Sequence, residues 1–254
     1  MSRYGATTAT WLGPPGPRPE DVALYCLPYA GGGVGVYREW RGRIPGVEVV
    51  PVHLPGRNGR IRERPYTSVD ELVGDLATAM EPRLHRPFAV FGHSMGALLA
   101  FELTRQLRRR GLPRPRVLFA SGAVAPQRRR RKEVASDPRE LIMRIRDLGG
   151  PGLEALRNPE LLRLVLPWLR ADFQLVDGYV YQDQPPLDCP IHAFCGSRDP
   201  EVSGEDAEGW LAQTSAGGAV RVLPGDHFFL DESREALLAA VGGEIGAVSA
   251  AREA

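Results

Sequence analysis

The stretch Phe88–Ala100 constrains the fold more than any other part of this 254-residue chain. Its apolar start predicts a buried strand, and the Gly-His-Ser-Met-Gly that follows leads directly into a helix-forming run. A G-x-S-x-G turn between a strand and a helix is so tight that a side chain at either glycine would collide with neighbouring backbone. We therefore predict that Ser94 is strained, with its hydroxyl exposed above the free N–H groups that open the next helix.

The pattern alone is weak evidence, because 29 of the 254 residues are glycine. With about ten serines in the chain, an accidental match is expected with a frequency of roughly 0.13. An ordinary Gly-rich turn is therefore the alternative interpretation. Three further features decide between a catalytic turn and an ordinary one. They are the strand before the turn, the helix after it and the candidate catalytic residues further along the chain.

Composition excludes several classes of protein. Hydrophobic residues make up 43% and charged residues 25%, which is typical of a globular domain, and a net charge of +1 argues against a general nucleic-acid binder. The first 13 residues lack the basic start and apolar core of a secretion signal, and no apolar run reaches the length of a membrane span. The three cysteines form no Cys-x-x-Cys pair. We expect a cytoplasmic protein that binds no metal, membrane or nucleic acid.

Strand-forming and helix-forming runs alternate along the chain. This alternation predicts a single α/β domain over 1–254, with a mostly parallel central sheet and helices on both faces. Between about 127 and 181 only helical stretches are predicted, so this segment is expected to be an insertion that covers the site. Thr10–Leu12 is predicted as a short edge strand. The confident strands are Val22–Leu27, Val47–Val52, 88–92, Val117–Ala120, Ile191–Cys195 and Ala219–Leu223.

A serine nucleophile needs a base to accept its proton, and His227 is the best candidate. It lies in a loop just after the last predicted strand, and the carboxyl ends of parallel strands share one edge of a sheet, the edge of Ser94. His93 adjoins Ser94, but neighbouring side chains on such a turn diverge. His85 at a helix end and His192 within a strand fit structural roles. For His227 the alternative interpretation is a lone surface histidine.

The base in turn needs a carboxylate that fixes its tautomer and stabilises its cation. Asp199 follows the penultimate strand, and the order Ser94, Asp199, His227 is the one expected of an α/β-hydrolase. The rival position, after the strand that follows the Ser94 helix, reads Ser-Gly-Ala at 121–123 and offers no carboxylate. Asp226 is expected to cap or solvate its loop.

An acyl-transfer site also needs two preorganised donors for the developing oxyanion, each worth about 3 kcal/mol in the transition state. One is expected to be the N–H of Met95, directly after the nucleophile. The other is expected from the Gly-rich loop after the first confident strand, with Ala30 as the first choice and Gly31 as the reserve. A flexible turn is the alternative interpretation of this loop.

Four motifs together resemble the signature set of type II thioesterases, the stand-alone editing enzymes of polyketide and nonribosomal peptide synthesis. The resemblance spans about residues 10 to 245. It implies an α/β-hydrolase fold with a helical lid, no cofactor, and hydrolysis of acyl groups from the phosphopantetheine arm of an acyl or peptidyl carrier protein through an acyl-enzyme. The motifs are Pro-Tyr-Ala-Gly-Gly at 28–32, Leu-Pro-Gly-Arg at 54–57, Gly-His-Ser-Met-Gly-Ala at 92–97 and Gly-Asp-His-Phe-Phe-Leu at 225–230.

The same resemblance implies that residues 127–181 form the lid over the acyl pocket. Trp168 and Phe173, at helical spacing in this segment, are expected to line the pocket or to pack the lid on the core, and Phe228 is expected to line it as well. A basic run in the segment is expected to meet an acidic carrier protein or the phosphate of its arm, unless it is simply a solvated loop. The run comprises Arg128, Arg129, Arg130, Arg131 and Lys132.

Two other functions fit part of these observations. A general carboxylesterase or lipase on the same fold shares the three catalytic side chains, and only the additional motifs argue against it. A binding protein that has lost turnover has no need of Ser94, Asp199 and His227 together. We expect a monomeric enzyme whose macromolecular partner is the carrier protein.

Overall fold

The computed structural model describes residues 8–14, 16, 21–129, 138–148 and 156–250. Within these residues six strands form one sheet in which every neighbouring pair is parallel. The strands are β1 (Val22–Leu27), β2 (Val47–Pro51), β3 (Phe88–His93), β4 (Leu118–Ser121), β5 (Ile191–Gly196) and β6 (Gly218–Leu223). Their order is β2-β1-β3-β4-β5-β6, which confirms the predicted parallel sheet and places β3 near its centre.

Helices follow the strands where the alternation predicts them. The α-helices are α1 (Thr8–Leu12), α2 (Val69–Met80), α3 (Met95–Arg109), α4 (Pro138–Leu148), α5 (Pro159–Asp177), α6 (Gly204–Glu208), α7 (Phe229–Glu232) and α8 (Arg234–Ala250). Short 3-10 turns cover Val34–Trp40, Asn58–Arg60, Glu81–Arg83, Pro126–Arg128 and Gly209–Gln213. None of the helices in the described ranges has the length and apolar character that a membrane span requires.

The predicted edge strand at Thr10–Leu12 is wrong, because these residues belong to helix α1. The Trp11 side chain is 1% exposed, and its ring lies 6.2 Å from that of Tyr66. The Arg60 guanidinium sits 4.4 Å above the same indole. These tertiary contacts outweigh the local strand preference of the threonines, which is a weak guide in a short segment.

Alternate strand residues supply the two halves of the core. In β1, Ala23, Tyr25 and Leu27 pack on the side that α2 and α3 cover, whereas Leu24 and Cys26 pack on the side covered by α8 and the 3-10 helix Val34–Trp40. This alternation follows from the two-residue period of a strand. Both faces of the sheet are therefore buried, as predicted.

The junction of β3 and α3 is as tight as its sequence predicts. A Cβ atom at Gly92 would lie 2.0 Å from the carbonyl oxygen of Gly96, and one at Gly96 would lie 2.1 Å from that of Leu27. Both distances are far below contact, so only glycine fits at either position. Between them Ser94 has φ +55° and ψ −115°, a conformation that non-glycine residues rarely adopt.

Residues 127–181, hereafter the insertion segment, leave the sheet after β4 and return before β5. In the described part of this segment the regular elements are helical, namely the 3-10 turn at Pro126–Arg128, α4 and α5. Helix α5 lies against the Gly-rich loop that follows β1, because a Cβ atom at Gly31 would meet Leu169 Cδ1 at 2.9 Å. The segment therefore reaches the carboxyl edge of the sheet, where Ser94 lies.

Two glycine substitutions test how strongly the turn depends on close backbone contact. Gly96→Ala is expected to lower the free energy of unfolding by at least about 3 kcal/mol, because no side-chain movement relieves a clash with the Leu27 carbonyl. Gly246→Ala, in open space on α8, is expected to raise it by about 0.5–1 kcal/mol through helix propensity. Urea unfolding of the two variants measures both effects. Similar stabilities would contradict the steric argument.

Candidate active site

Three side chains meet at the carboxyl edge of the sheet. The His227 Nε2 atom lies 3.0 Å from Ser94 Oγ, and its Nδ1 atom lies 2.9 Å from Asp199 Oδ2. A carboxylate only accepts, so the Nδ1–H donates to Asp199 and the Ser94 hydroxyl donates to Nε2. The Asp199 side chain is fully buried and that of His227 is 4% exposed. The structure thus brings together all three residues that the sequence predicts as nucleophile, base and acid.

Short backbone contacts hold the loop of Asp199, the predicted acid, against the loop of His227, the predicted base. Arg198 N donates to Gly225 O at 2.9 Å, and a Cβ atom at Gly196 would lie 2.3 Å from Asp226 O. The Asp226 carboxylate accepts from Phe228 N at 2.7 Å, so it caps its own loop as predicted and leaves Asp199 to face the histidine.

His93 supports the base from behind, a role that the sequence did not reveal. Its side chain is fully buried, its Nε2–H donates to the His227 carbonyl at 2.8 Å, and its Nδ1 lies 2.9 Å from Ser121 Oγ. Burial, reinforced by the neighbouring His227, lowers the pKa of His93 well below 6.5. A neutral imidazole therefore holds the backbone of His227 in place. The clue in the sequence is its position at the buried end of β3.

The other histidines lie outside the site, as expected for His85 and His192. His85 is exposed and its Nδ1–H donates to Pro82 O at 3.0 Å. His192 is buried in β5 with its Nε2 3.4 Å from Glu244. His53 is half-buried on the wall of a cavity of about 550 Å³ beside β2, whose described lining contains none of the predicted catalytic residues.

In the described part of the chain, two backbone N–H groups beside Ser94 are free to serve as the predicted oxyanion donors. Met95 N, at the start of α3, and Ala30 N, in the loop after β1, donate to no acceptor in the described residues, and both residues line the same cavity as Ser94. The reserve donor, Gly31 N, is occupied, because it donates to Asp172 Oδ2 at 2.7 Å. Of the two sequence candidates in this loop, Ala30 is the one whose N–H is available.

The cavity beside Ser94 is small, at about 100 Å³. Phe173 and Phe228 line it, as expected for an acyl pocket, and Val176 joins them from α5. Trp168 is not among its described lining residues and instead packs beside Leu141, Leu169 and Phe173. Phe173 lies five positions after Trp168, a step that turns a helix by about 140°, so the two side chains leave α5 in different directions.

The basic run does not behave as one surface. Arg128 is exposed and donates to Glu205 O at 2.6 Å, whereas Arg129 is half-buried and lines the cavity of Ser94. Burial lowers the pKa of Arg129, and the nearby Asp177 carboxylate opposes that effect. Arg144 lines the same cavity and is paired with Asp177. Arg130, Arg131 and Lys132 lie outside the described residues.

No cluster of three His, Cys, Asp or Glu side chains suited to a metal ion occurs in the described ranges. The hydrogen-bonded Ser94, His227 and Asp199 lie at the carboxyl edge of the sheet. A family model described as "Thioesterase domain" matches residues 22–244. The chain belongs to the thioesterase family. It is a hydrolase that acts on thioesters, with the α/β fold of that family.

Relatives and solved structures resemble the chain over nearly its whole length. It is 41% identical to a Brevibacillus parabrevis protein named linear gramicidin dehydrogenase LgrE, over 95% of this chain and 94% of that protein. It superposes with a TM-score of 0.83 on RedJ, a thioesterase from the prodiginine biosynthetic pathway of Streptomyces coelicolor, at 45% identity over 91% of this chain and 89% of RedJ. With BorB, a type II thioesterase from the borrelidin biosynthetic cluster, the TM-score is 0.82 at 36% identity over 89% and 94% of the two chains.

The neutral state of His93 predicts a pH dependence of stability. The native state disfavours its protonation, so below about pH 6.5 the unfolded chain binds the proton first and the free energy of unfolding falls. Each pH unit below that value costs up to about 1.4 kcal/mol from this group. Urea unfolding at pH 7.5 and 5.5 is expected to show a smaller loss for His93→Gln than for the wild type. The exposed His85→Gln is the control, and an unchanged pH dependence in His93→Gln would contradict the assignment.

Proposed function

We propose that this thioesterase removes aberrant acyl groups from the phosphopantetheine arm of acyl or peptidyl carrier proteins, as a stand-alone editing enzyme. The observation that carries the proposal is the unbroken hydrogen-bonded line from Ser94 through His227 to Asp199, in a chain of the thioesterase family. The names of RedJ and BorB, which place those proteins in biosynthetic pathways of this kind, support the choice of substrate.

In the proposed acylation step, His227 Nε2 accepts the Ser94 proton as Oγ attacks the thioester carbonyl carbon. The N–H groups of Ala30 and Met95 hold the oxyanion of the tetrahedral intermediate. When the C–S bond breaks, His227 returns the proton to the departing sulfur and the acyl group remains on Ser94 as an ester. A thiolate leaves readily, so this step needs less help with the leaving group than amide hydrolysis does.

Deacylation repeats the same proton transfers with water. His227 takes a proton from the attacking water, the second tetrahedral intermediate uses the same two donors, and the proton then passes to Ser94 Oγ as the carboxylic acid leaves. Asp199 stabilises the His227 cation in both steps and keeps its Nδ1 protonated. No part of the cycle requires a cofactor.

The pocket favours short acyl groups. Its volume of about 100 Å³ is well below the roughly 300–1,000 Å³ of pockets that enclose drug-sized ligands. Phe173 and Val176 narrow it from α5, which we propose is part of the lid. The size of this pocket would make the enzyme selective for short acyl groups over long ones.

The carrier protein would approach from the side of the basic run. Arg128 is exposed there, and Arg129 reaches from the run into the cavity. Guanidinium groups bind phosphate in a bidentate manner, so these residues suit the phosphate of the arm or acidic residues of the carrier. We place this reaction in the cytoplasm and propose that the enzyme acts as a monomer.

The name of LgrE assigns that protein a dehydrogenase function, which calls for a comparison with hydride transfer. The G-x-G-x-x-G fingerprint of dinucleotide binding does not occur in this sequence, and the loop after β1 reads Tyr-Ala-Gly-Gly-Gly-Val instead. That loop lies beside Ser94, because its residue Ala30 lines the same cavity as Ser94. These observations favour hydrolysis for the present chain.

Substitution of the three side chains tests the mechanism. Ser94→Ala and His227→Ala are each expected to lower kcat/KM by at least about a thousandfold, and Asp199→Asn by a comparable or smaller factor. Hydrolysis of an acyl-carrier thioester, followed by thiol release, measures the loss. Near-normal turnover in Asp199→Asn would move the acid elsewhere.

The substrate class is tested with one short acyl group presented in two forms, on a carrier protein and as a simple oxygen ester, with Ser94→Ala as the blank. We expect kcat/KM to favour the carrier thioester strongly. Equal or faster hydrolysis of the ester would instead favour a general carboxylesterase. Failure of a serine-reactive phosphonate to label Ser94 would argue against any serine hydrolase.

The basic run is tested by charge reversal at Arg128, Arg130 and Arg131, which leaves Arg129 in the cavity of Ser94 unchanged. We expect KM to rise about tenfold for the carrier-bound thioester and to stay unchanged for a free thioester, because only the carrier presents negative charge to these residues. Arg109→Glu, at the far end of α3 and about 20 Å along the helix from Ser94, is the control. Equal effects on both substrates would identify the run as a solvated loop.

A further inference from the structure

Helix α5 and the loop after β2 are joined by an ion pair that is almost completely buried. Arg57 Nη2 donates to Asp172 Oδ1 at 2.6 Å and Nη1 donates to Asp172 Oδ2 at 2.7 Å. The two side chains are 4% and 3% exposed. Neither residue is among the described residues that line the cavity of Ser94. Any effect of the pair on catalysis must therefore act through another group.

That other group is the loop of the proposed oxyanion donor. The Asp172 Oδ2 atom also accepts from Gly31 N at 2.7 Å, and Arg57 Nη1 also donates to Gly32 O at 3.0 Å. The ion pair thus binds the N–H of Gly31 and the carbonyl of Gly32, the first and second residues after Ala30. We call Arg57 and Asp172, with these two backbone contacts, the loop clamp.

The clamp selects one conformation of the loop. Gly32 N donates to Tyr29 O at 2.9 Å, which closes a four-residue turn with Ala30 and Gly31 at its centre. Gly31 has φ +82°, the value of the third residue in a type II turn. In a type I turn the central peptide is rotated by about 180°, so its N–H would point away from Asp172. The carboxylate therefore stabilises the peptide orientation that is seen.

Apolar side chains of α5 also contact the loop after β1. Leu169, one turn before Asp172 on α5, leaves no room for a side chain at Gly31, since a Cβ atom there would lie 2.9 Å away. Ala30 packs against the buried cluster of Leu141, Trp168, Leu169 and Phe173. The helix thus contacts both central residues of the turn.

Stability alone is a poor explanation for the clamp. A buried ion pair loses so much hydration that apolar side chains of similar volume often serve as well. Here Arg57 Nε is buried without a hydrogen-bond partner in the described part of the chain, which adds to that loss. Directional bonds to Gly31 and Gly32 are what apolar side chains cannot supply.

We infer that Arg57 and Asp172 are positioning residues for the oxyanion hole, and that Ala30 N–H is correctly placed only while α5 of the insertion segment is seated on the loop. The inference rests on the proposed function, in which Ala30 stabilises the oxyanion. Loss of one oxyanion donor typically lowers kcat by about 10²–10³. Because the clamp acts on the transition state rather than on substrate binding, its loss affects kcat and not KM.

The test is a double variant, Arg57→Met with Asp172→Leu, which removes both charges and keeps the volume. The control is Glu48→Leu with Arg86→Met, a second largely buried ion pair, which lies at the amino ends of β2 and β3, away from the loop and from α5. Rates are expressed per active site, titrated by exhaustive labelling of Ser94 with a phosphonate, so that partial unfolding does not lower them. Circular dichroism reports the fold of each variant.

For the clamp variant we expect kcat per titrated site to fall 10- to 1,000-fold, with KM within about twofold of the wild type. Affinity for a boronic acid that forms a tetrahedral adduct with Ser94 is expected to fall in parallel. The control variant is expected to keep its kcat per site. If the double variant does not fold, Arg57→Lys, which retains the charge but not the paired bonds, is expected to show a smaller loss of the same kind.

Unchanged kcat per site in a folded clamp variant would overturn the inference while leaving the proposed function intact. An equal loss in the control variant would also overturn it, because the effect would then be general to buried ion pairs. A wild type that labels at Ser94 but hydrolyses no acyl-carrier thioester would overturn the proposed function, and this inference with it.

Discussion

The absence of side chains at Gly92 and Gly96 is the constraint on which the site depends. Only because α3 approaches β3 and β1 to within backbone contact does Ser94 stand at the carboxyl edge of the sheet in a left-handed conformation. The same turn leaves Met95 N without an acceptor in the described chain. The positions of Ser94, the proposed nucleophile, and of Met95 N, a proposed oxyanion donor, thus follow from one steric condition. The strain in Ser94 is tolerated because β3 is central in the sheet and buried along its length.

His227, the proposed base, is held on two sides, by a carboxylate on its ring and by a neutral imidazole on its backbone. The buried Asp199 carboxylate accepts from the His227 ring, while the neutral His93 ring donates to the His227 backbone carbonyl. The lowered pKa of His93 keeps its ring neutral, so it adds no positive charge beside His227. The His93 ring thus orients the base without disturbing its charge. A strand residue adjacent to the nucleophile thereby serves the base, although 134 positions separate the two histidines.

Sequence alone was sufficient for those features that follow from local chemistry and from the geometry of parallel sheets. The Gly92 and Gly96 turn is local, and Asp199 and His227 could be placed because parallel strands end at one edge. The loop clamp could not be found in this way, since 115 positions separate Arg57 from Asp172 and each residue type is ordinary on a surface. The direction of Trp168 depended on the rotation of α5 against the core, which helical spacing does not determine. Helix α1 depended on the burial of Trp11 by distant residues.

The two proposed oxyanion donors differ in what holds them. Met95 N is part of the β3–α3 junction and moves only if the centre of the fold moves. Ala30 N belongs to a loop whose conformation is stabilised by Asp172 and Leu169, both on a helix outside the sheet. The position of Met95 N is therefore fixed by the core, whereas the position of Ala30 N depends on the insertion segment. Since both donors are needed for full stabilisation of the oxyanion, a displaced α5 would leave Ser94 and His227 intact but poorly productive.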